Sequence, residues 1–439
     1  MASKNILILF LSQVIVFSSC INNKNDSIEN ADFQIDINSV QIEEISIPDL
    51  STLNSVFPKS KFEVIALEFT PNSLLGEISK VIYADNKYIV LDESSGTLFA
   101  FANNGKYLFT VGSKGSGPDQ YVRVKGFDLD VDSGEIVVLD IAEKIIHYNL
   151  RNGAYLKDYR LEDMPYAKLA DIKLIGKDTI FLAKGKSSEI LFPFDLIMIV
   201  NEKVVSGGFL NTSPMDTVVG DFPSQWFSSS IEDEFTFISP YFQEIYFIKD
   251  NKVSRSFQLD MGDKMLSKQE EEMLQGMSRL ESNAFIRQNK KFGGFLKIFL
   301  NKDHFLFISN ETGEVAFSFK TGHLAKFENN YPAFSLANVV GTYNGKIIST
   351  INGESFYSMH NRILDIWRSG LNNDKLYIDA FNYVSELYPD WAKTVELMKN
   401  SDNPLLIIGE INFGEPEYEP ANFVPNWSND FNIYVQKHK

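Results

Sequence analysis

At 439 residues the chain has room for two or three ordinary domains, or for one closed array of repeats. Its 58 acidic and 41 basic residues give a formal charge of −17, which argues against a nucleic-acid partner and against general attraction to anionic membrane surfaces. A lone cysteine excludes internal disulfides and thiolate metal sites. The 13% aromatic content suits sheets packed face to face.

In chain order, Lys4 precedes an apolar run from Ile6 to Phe17, followed by Ser18-Ser19-Cys20. A positive start, a short apolar stretch and small residues before a cleavage point make an export signal, too short for a stable membrane span. With Cys20 directly after the small pair, it resembles a bacterial lipoprotein signal, in which that cysteine is lipidated and becomes the first mature residue. Phe17 stands where leucine is usual. An ordinary signal peptide is the alternative, and it would leave an odd free thiol in an exported protein. Ile21 after the cysteine implies, by the same resemblance, outer-membrane sorting. Residues 1–19 are therefore expected as signal peptide, and 20–60, polar and aperiodic, as anchor cysteine and flexible linker.

Residues 61–413 are expected to form one body. Phe62–Phe69 alternates apolar and polar residues. Two passes of one pattern follow, Ile78–Gly112 and Val124–Asp163, each of four short alternating runs separated by Asp-Asn, Ser-Gly and Asn-Gly turn signals. Ile89–Asp92 in the first falls on Val137–Asp140 in the second, 48 residues later, close to the repeat of a propeller blade. Further passes begin at Tyr166, Ser230, Phe295 and Phe334, which makes six. A capping box at Ser267–Glu270, with apolar residues at helical spacing beyond it, predicts one helix over about 267–290, within an insertion over about 264–292. A second helical insertion is expected at about 374–400, split by Pro389. The fold class is thus all-β: a six-bladed β-propeller with two helical insertions, closed by pairing of Phe62–Phe69 with Leu405–Phe413. Residues 414–439 are expected as an irregular tail packed on it, with a strand-like Phe431–Val435.

The lipoprotein signal, the segment Val111–Tyr121, the repeated phrase around Ile136–Leu156 and the late Asn403–Phe413 together resemble the bacterial six-bladed β-propeller lipoproteins, which are NHL- and TolB-like. The likeness runs over about 45–413. The family usually has Gly-Glu-Tyr after Gly-Pro, where this chain has Asp119-Gln120-Tyr121. The resemblance implies architecture and address but no reaction.

Candidate sites are few. The Gly112–Gly117 loop is followed by Pro118 and a strand, where a phosphate-binding loop needs Lys and a helix, and it reads as an inter-blade connector with glycines for positive φ. As a ligand-lining edge it would offer Lys114, Gln120, Tyr121 and Arg123. Asp128, Asp130 and Asp132 share one strand face but fail the calcium-loop pattern at Ser133 and Leu139. A solvated face is the better reading, and a row holding a hydrated cation such as calcium is the alternative. No cofactor is otherwise expected. The five histidines, His147, His304, His323, His360 and His438, make no local metal motif. Trp226, in an aromatic loop, would stack on a sugar or grip a partner, although packing on the fourth blade is the better account. The expected function is a lipid-anchored, exported binding or scaffolding module, a monomer with a protein or carbohydrate partner, held at the cell envelope by Cys20. The alternative is a metal-dependent hydrolase or lyase, lactonase-like, with ligands from several blades.

Overall fold

The computed structural model describes residues 42–46 and 55–161 continuously and, apart from connecting segments, 168–412 and 427–438. Two units divide the chain, Met1–Gln34 and Ile35–Lys439. The first, which holds the expected signal peptide and Cys20, lies outside the described residues.

Two N-terminal strands, β1 (Ile42–Ser46) and β2 (Ser55–Ala66), join sheets built from much later residues. The first sheet is β3 (Ile78–Ala84), β4 (Lys87–Asp92), β5 (Thr97–Ala102) and β6 (Tyr107–Thr110). A two-stranded parallel ribbon, β7 (Ser113–Lys114) and β8 (Gln120–Tyr121), leads to the second. That sheet is β9 (Val124–Asp130), β10 (Glu135–Asp140), β11 (Lys144–Asn149) and β12 (Tyr155–Arg160). The third has β13 (Leu169–Ile175), β14 (Thr179–Lys184), β15 (Phe194–Val200), β16 (Lys203–Val204) and β17 (Phe209–Asn211). The fourth is β18 (Phe235–Ile238), β19 (Glu244–Lys249) and β20 (Lys252–Asp260), with β1 parallel on its outer edge. The last contains β21 (Phe295–Leu300), β22 (His304–Ser309), β23 (Gly313–Ser318), β24 (Leu324–Phe327), then β2, β27 (Leu405–Asn412), β26 (Lys346–Ile351) and β25 (Val339–Tyr343). First strands neighbour one another, β25 beside β3, β3 beside β9, β9 beside β13 and β21 beside β25. The sheets therefore radiate from a channel, and the fold is an all-β propeller.

Six separate blades were expected, whereas the described strands form five large sheets. The difference lies in the last, of eight strands. Its halves, β21–β24 and β25–β27 with β2, are joined because the twelve-residue β2 serves both. Ser55 and Val56 pair in parallel with β24, and Phe57–Ala66 pair antiparallel with β27. The two strands expected to close the ring are therefore hydrogen-bonded to each other. The linker expectation for 20–60 needs correction, since this stretch contains β1 and the start of β2.

Central strands are buried on both faces, so β4 and β10 are buried nearly throughout rather than at alternate residues. Tyr88 and Val90 face the core shared with β26 and β27, while Ile89 and Leu91 face the core shared with β9–β11. Each large side chain so covered contributes roughly 1.5–3 kcal/mol. The repeated Asn-to-Gly hairpins serve the seams as well as the turns. Gly105, at φ +84°, lies so close to the Ala66 carbonyl that a Cβ would overlap it, and Gly153, at φ +69°, sits against Phe109 and Thr110. The Gly112 N–H donates to the Gly153 carbonyl at 3.1 Å.

The expected single helix at 267–290 is two: α1 (Lys268–Gln275) and α2 (Arg279–Gln288), each with its own capping box, Ser267–Glu270 and Ser278–Glu281. The second box stops the first helix and restarts the chain. In the later insertion, α3 (Asp374–Leu387) ends before Pro389. The tail holds no strand at 431–435. It forms α4 (Trp427–His438), whose Tyr434 ring stacks on Tyr383 of α3 at 5.0 Å.

Candidate functional site

Five of the six first strands carry the same irregularity near their start, whereas β18 pairs with β19 without a slip. The pairing register slips between Ile78 and Lys80, Leu139 and Asp140, Leu169 and Asp171, Phe295 and Lys297, and Val339 and Gly341. A bulge inserts one residue and re-aims the side chain after it. Lys80, Gly126, Asp171, Lys297 and Gly341 consequently occupy matching places next to the channel. The glycines mark where neighbouring strands come closest: a Cβ on Gly126 would lie 2.6 Å from Asp171 Oδ1, and one on Gly341 would overlap the Val81 carbonyl.

Because Gly126 leaves that space, Lys80 reaches past β9 to Asp171, Nζ to Oδ1 3.0 Å, and passes 5.5 Å from the Phe127 ring. Lys173 pairs back to Asp128 at 3.0 Å, with both side chains under a tenth exposed. The Leu174 N–H donates to Asp128 Oδ2 at 2.9 Å, and Lys297 donates to the Val339 carbonyl at 3.0 Å. Three sheets are thus cross-linked by buried ion pairs at the channel. Loss of one partner of such a pair strands a charge in low dielectric, which fixes register more than it adds net stability. The expectation of a solvated aspartate row is overturned for Asp128. Asp130 accepts from the Ser133 N–H at 3.0 Å and caps the hairpin.

The repeated aspartates have one task. Asp92 Oδ1 accepts from the Gly76 and Glu77 N–H groups at 3.1 and 3.0 Å, and Asp140 Oδ1 from Val122 and Arg123 at 3.0 and 2.9 Å. Each carboxylate holds the chain that enters the first strand of its own sheet. In the third sheet the place occupied by Asp92 and Asp140 belongs to Lys184, opposite Leu169.

Among the sequence candidates, Lys114, Gln120, Tyr121 and Arg123 lie on one connector and Trp226 lies elsewhere. Lys114 and Arg123 converge on the Glu93–Gly96 turn: Lys114 donates to the Ser95 carbonyl, and Arg123 to the Glu93 carbonyl and, at 3.2 Å, to its carboxylate. Gln120 folds back to accept from the Gly117 N–H at 3.0 Å. Tyr121 is fully buried, with its hydroxyl on the Val111 carbonyl at 3.0 Å. Burial pushes its pKa up to about 12. The connector wraps the buried Lys144 ammonium, which donates to the Gly117, Pro118 and Gln120 carbonyls at 3.1, 3.1 and 2.5 Å. That is a scaffold for a cation rather than a cradle for a phosphate. Val122 and Ile141 stay exposed beside it, at 49% and 47%. Trp226 is buried, and its carbonyl accepts the Ile238 N–H at 3.1 Å while Phe227 pairs with Phe237. It belongs to the fourth sheet's core.

An open groove of about 770 Å³ lies at α1, lined by Asp263, Met265, Leu266, Met273 and Lys291 among others. Lys291 frames it, donating to the Asp263 and Met265 carbonyls and pairing with Glu270 at 3.0 Å. Among the described residues, no three His, Cys, Asp or Glu side chains converge as a metal site would require, and no helix is long and apolar enough to cross a membrane. The channel residues Lys80, Asp171 and Lys173 escaped the sequence reading. Their signal was the Asp-x-Lys alternation at Asp171–Lys173, matched by Lys80 and Asp128 at the corresponding places of the two preceding passes.

No curated protein matches the chain. A crystal structure of a protein described as exported, from Bacteroides fragilis, is 14% identical, with 85% of this chain and all of that chain covered at a TM-score of 0.59. A member of the DUF4221 family from Bacteroides vulgatus is 11% identical over 82% of this chain and 98% of its own, at a TM-score of 0.44, too low to carry an argument. The first likeness extends to the fold alone. Over residues 33–410 the chain belongs to the family described as a domain of unknown function, DUF4934.

Proposed function

We propose that the chain is a lipid-anchored, exported propeller that binds or scaffolds a protein, glycan or small-molecule partner without catalysing a reaction. The engagement of its carboxylates carries this reading. Asp128 and Asp171, on channel-side strands, face lysines from other sheets, and Asp92 and Asp140 hold backbone amides. A lactonase-like hydrolase or lyase needs channel carboxylates with lone pairs directed at an ion, and nothing favours that alternative. We assign the contact surface to the connector face, where Lys114 and Arg123 meet the Glu93–Gly96 turn beside the exposed Val122 and Ile141. Rigid sheets presenting variable connectors are a common basis for recognition.

The address rests on the sequence around Cys20 and is supported by the exported fold relative. The lipid on Cys20 would hold a monomeric body at the outer membrane. Photo-crosslinkers at Val122 and Ile141, used on native envelopes, are expected to capture a defined partner, whereas one at Val131, exposed on a hairpin, is not. Equal capture at all three positions refutes the assigned face. Stoichiometric calcium or zinc that survives dialysis refutes the non-metal reading. An unmodified Cys20 in the mature chain, by mass spectrometry, refutes the anchor.

A further inference from the structure

The seam between the second and third sheets carries a row of ionisable groups from channel to rim. Asp128, Val137, His147 and Lys157 are successive cross-strand neighbours. Both ends of the row are tied to the next sheet, Asp128 to Lys173 at 3.0 Å and Lys157 to Glu202 at 2.6 Å. His147 stands between them. It is 6% exposed, its Nδ1 lies 2.7 Å from Glu135 Oε2, and the Tyr159 ring is 6.0 Å away. Its Nε2 is buried without a hydrogen-bond partner.

A neutral ring whose Nδ1–H donates to Glu135 fits this place, since it leaves Nε2 as an acceptor only. The protonated ring does not fit. It would put an N–H at Nε2 where nothing accepts it, and a positive charge on the face that already holds Lys157. We propose that this seam is an acid-sensitive hinge, in which protonation of His147 loosens the second sheet from the third and releases the Lys157–Glu202 clasp at the rim.

The electrostatics agree. Burial holds the His147 pKa below its usual value, and Lys157 adds to this, while the hydrogen bond and charge of Glu135 and the charge of Glu202 oppose it. Tyr159, whose pKa burial pushes up, stays protonated throughout. The sign follows from linkage. With a depressed pKa in the closed seam, an opened seam binds the proton first as pH falls. The contact is therefore complete above the ordinary histidine value near 6.5 and weakens below it, down to the depressed value.

The test is hydrogen exchange on the full chain at pH 7.5 and 5.5, corrected for the intrinsic rate at each pH. Amides of β11, β12 and β15 are expected to lose up to about tenfold in protection at pH 5.5 relative to β4 and β5, one pH unit below 6.5. His147→Gln keeps a donor toward Glu135 but cannot take up a proton, so its loss should be absent. Glu135→Gln removes the opposing charge and should steepen the loss. An unchanged ratio in the native chain, or the same loss in His147→Gln, overturns the proposal. Should His147→Gln fail to fold, an equal loss in Glu135→Gln and the native chain overturns it as well.

Discussion

Removing the Asn403 side chain should loosen the ring where its ends meet. This residue is 1% exposed and precedes β27, yet all three of its side-chain hydrogen bonds go to the segment joining β2 to β3. Oδ1 accepts from the Leu75 N–H at 2.9 Å, and Nδ2 donates to the Ser73 and Glu68 carbonyls at 2.8 and 3.1 Å. In Asn403→Ala the Glu68 carbonyl keeps the Ser73 hydroxyl, at 2.9 Å, so two backbone groups lose their partner. At about 1–3 kcal/mol for each buried group left unsatisfied, the loss is about 3 kcal/mol. For a body of this size that is a fall in Tm of roughly 5 °C, together with a lower urea midpoint at unchanged slope. Asn403→Asp separates the two directions of bonding. It keeps the acceptor for Leu75 but turns lone pairs toward two carbonyls, so it should be worse than alanine at pH 7 and recover on acidification, when the acid gains a donor. A loss below about 1 kcal/mol in Asn403→Ala, or an aspartate variant as stable as the native chain at pH 7, would show that this amide does not clamp the closure.

Three further outcomes follow from the seams and the channel. Lys80→Met leaves Asp171 charged and unpaired and should cost about 3–5 kcal/mol by chemical denaturation, with most of it regained in the double variant Lys80→Met/Asp171→Leu; no recovery refutes the pairing. Asp140→Ala frees two entry amides and should cost about 2 kcal/mol, with Asp140→Asn milder because an acceptor remains; equal costs contradict the amide-holding role. Gly105→Ala meets both a positive φ and the Ala66 carbonyl, whereas Gly134→Ala, at φ +72° with nothing within 4 Å, meets only the backbone strain. The second should therefore cost only about 1 kcal/mol and the first clearly more, and similar melting curves for the two would refute the close-approach argument.

Local features were legible in the sequence because they are written by neighbours in the chain. The alternation over Ile78–Gly112 and Val124–Asp163, the Asp85-Asn86 and Asn344-Gly345 turns with successive positive φ, and the Ser267–Glu270 box all depend on residues a few places apart. Even the closure pair could be inferred, since a ring leaves one strand over at each end. The misreadings have a common cause in pairing over long separations. Five residues at Ile42–Ser46, polar enough to pass for a tether, gain order from the exposed edge of β20, two hundred residues away. The length of β2, which no period reveals, merges two runs of strands into one sheet. The break within the first helical insertion was readable in principle, because Ser278–Glu281 repeats the spacing of Ser267–Glu270.

The same reasoning explains why the channel was hard to read and why the fold leaves its partner unnamed. A lysine three residues into a strand looks solvated when its own strand is considered alone. Lys80 is instead held by Asp171, two sheets away, through space that exists only because Gly126 lacks a side chain. The bulge that aims these residues recurs in five of the six first strands, whereas the residue it aims changes from lysine to glycine to aspartate around the ring. Such variation at a repeated position indicates a mutually fitted set, in which each side chain answers its neighbours. On the proposed binding reading, ion pairs that engage the first strands leave the connectors and edges for recognition. Acidification at the His147 seam would act on that arrangement from within, by changing how firmly the second and third sheets hold those connectors in place.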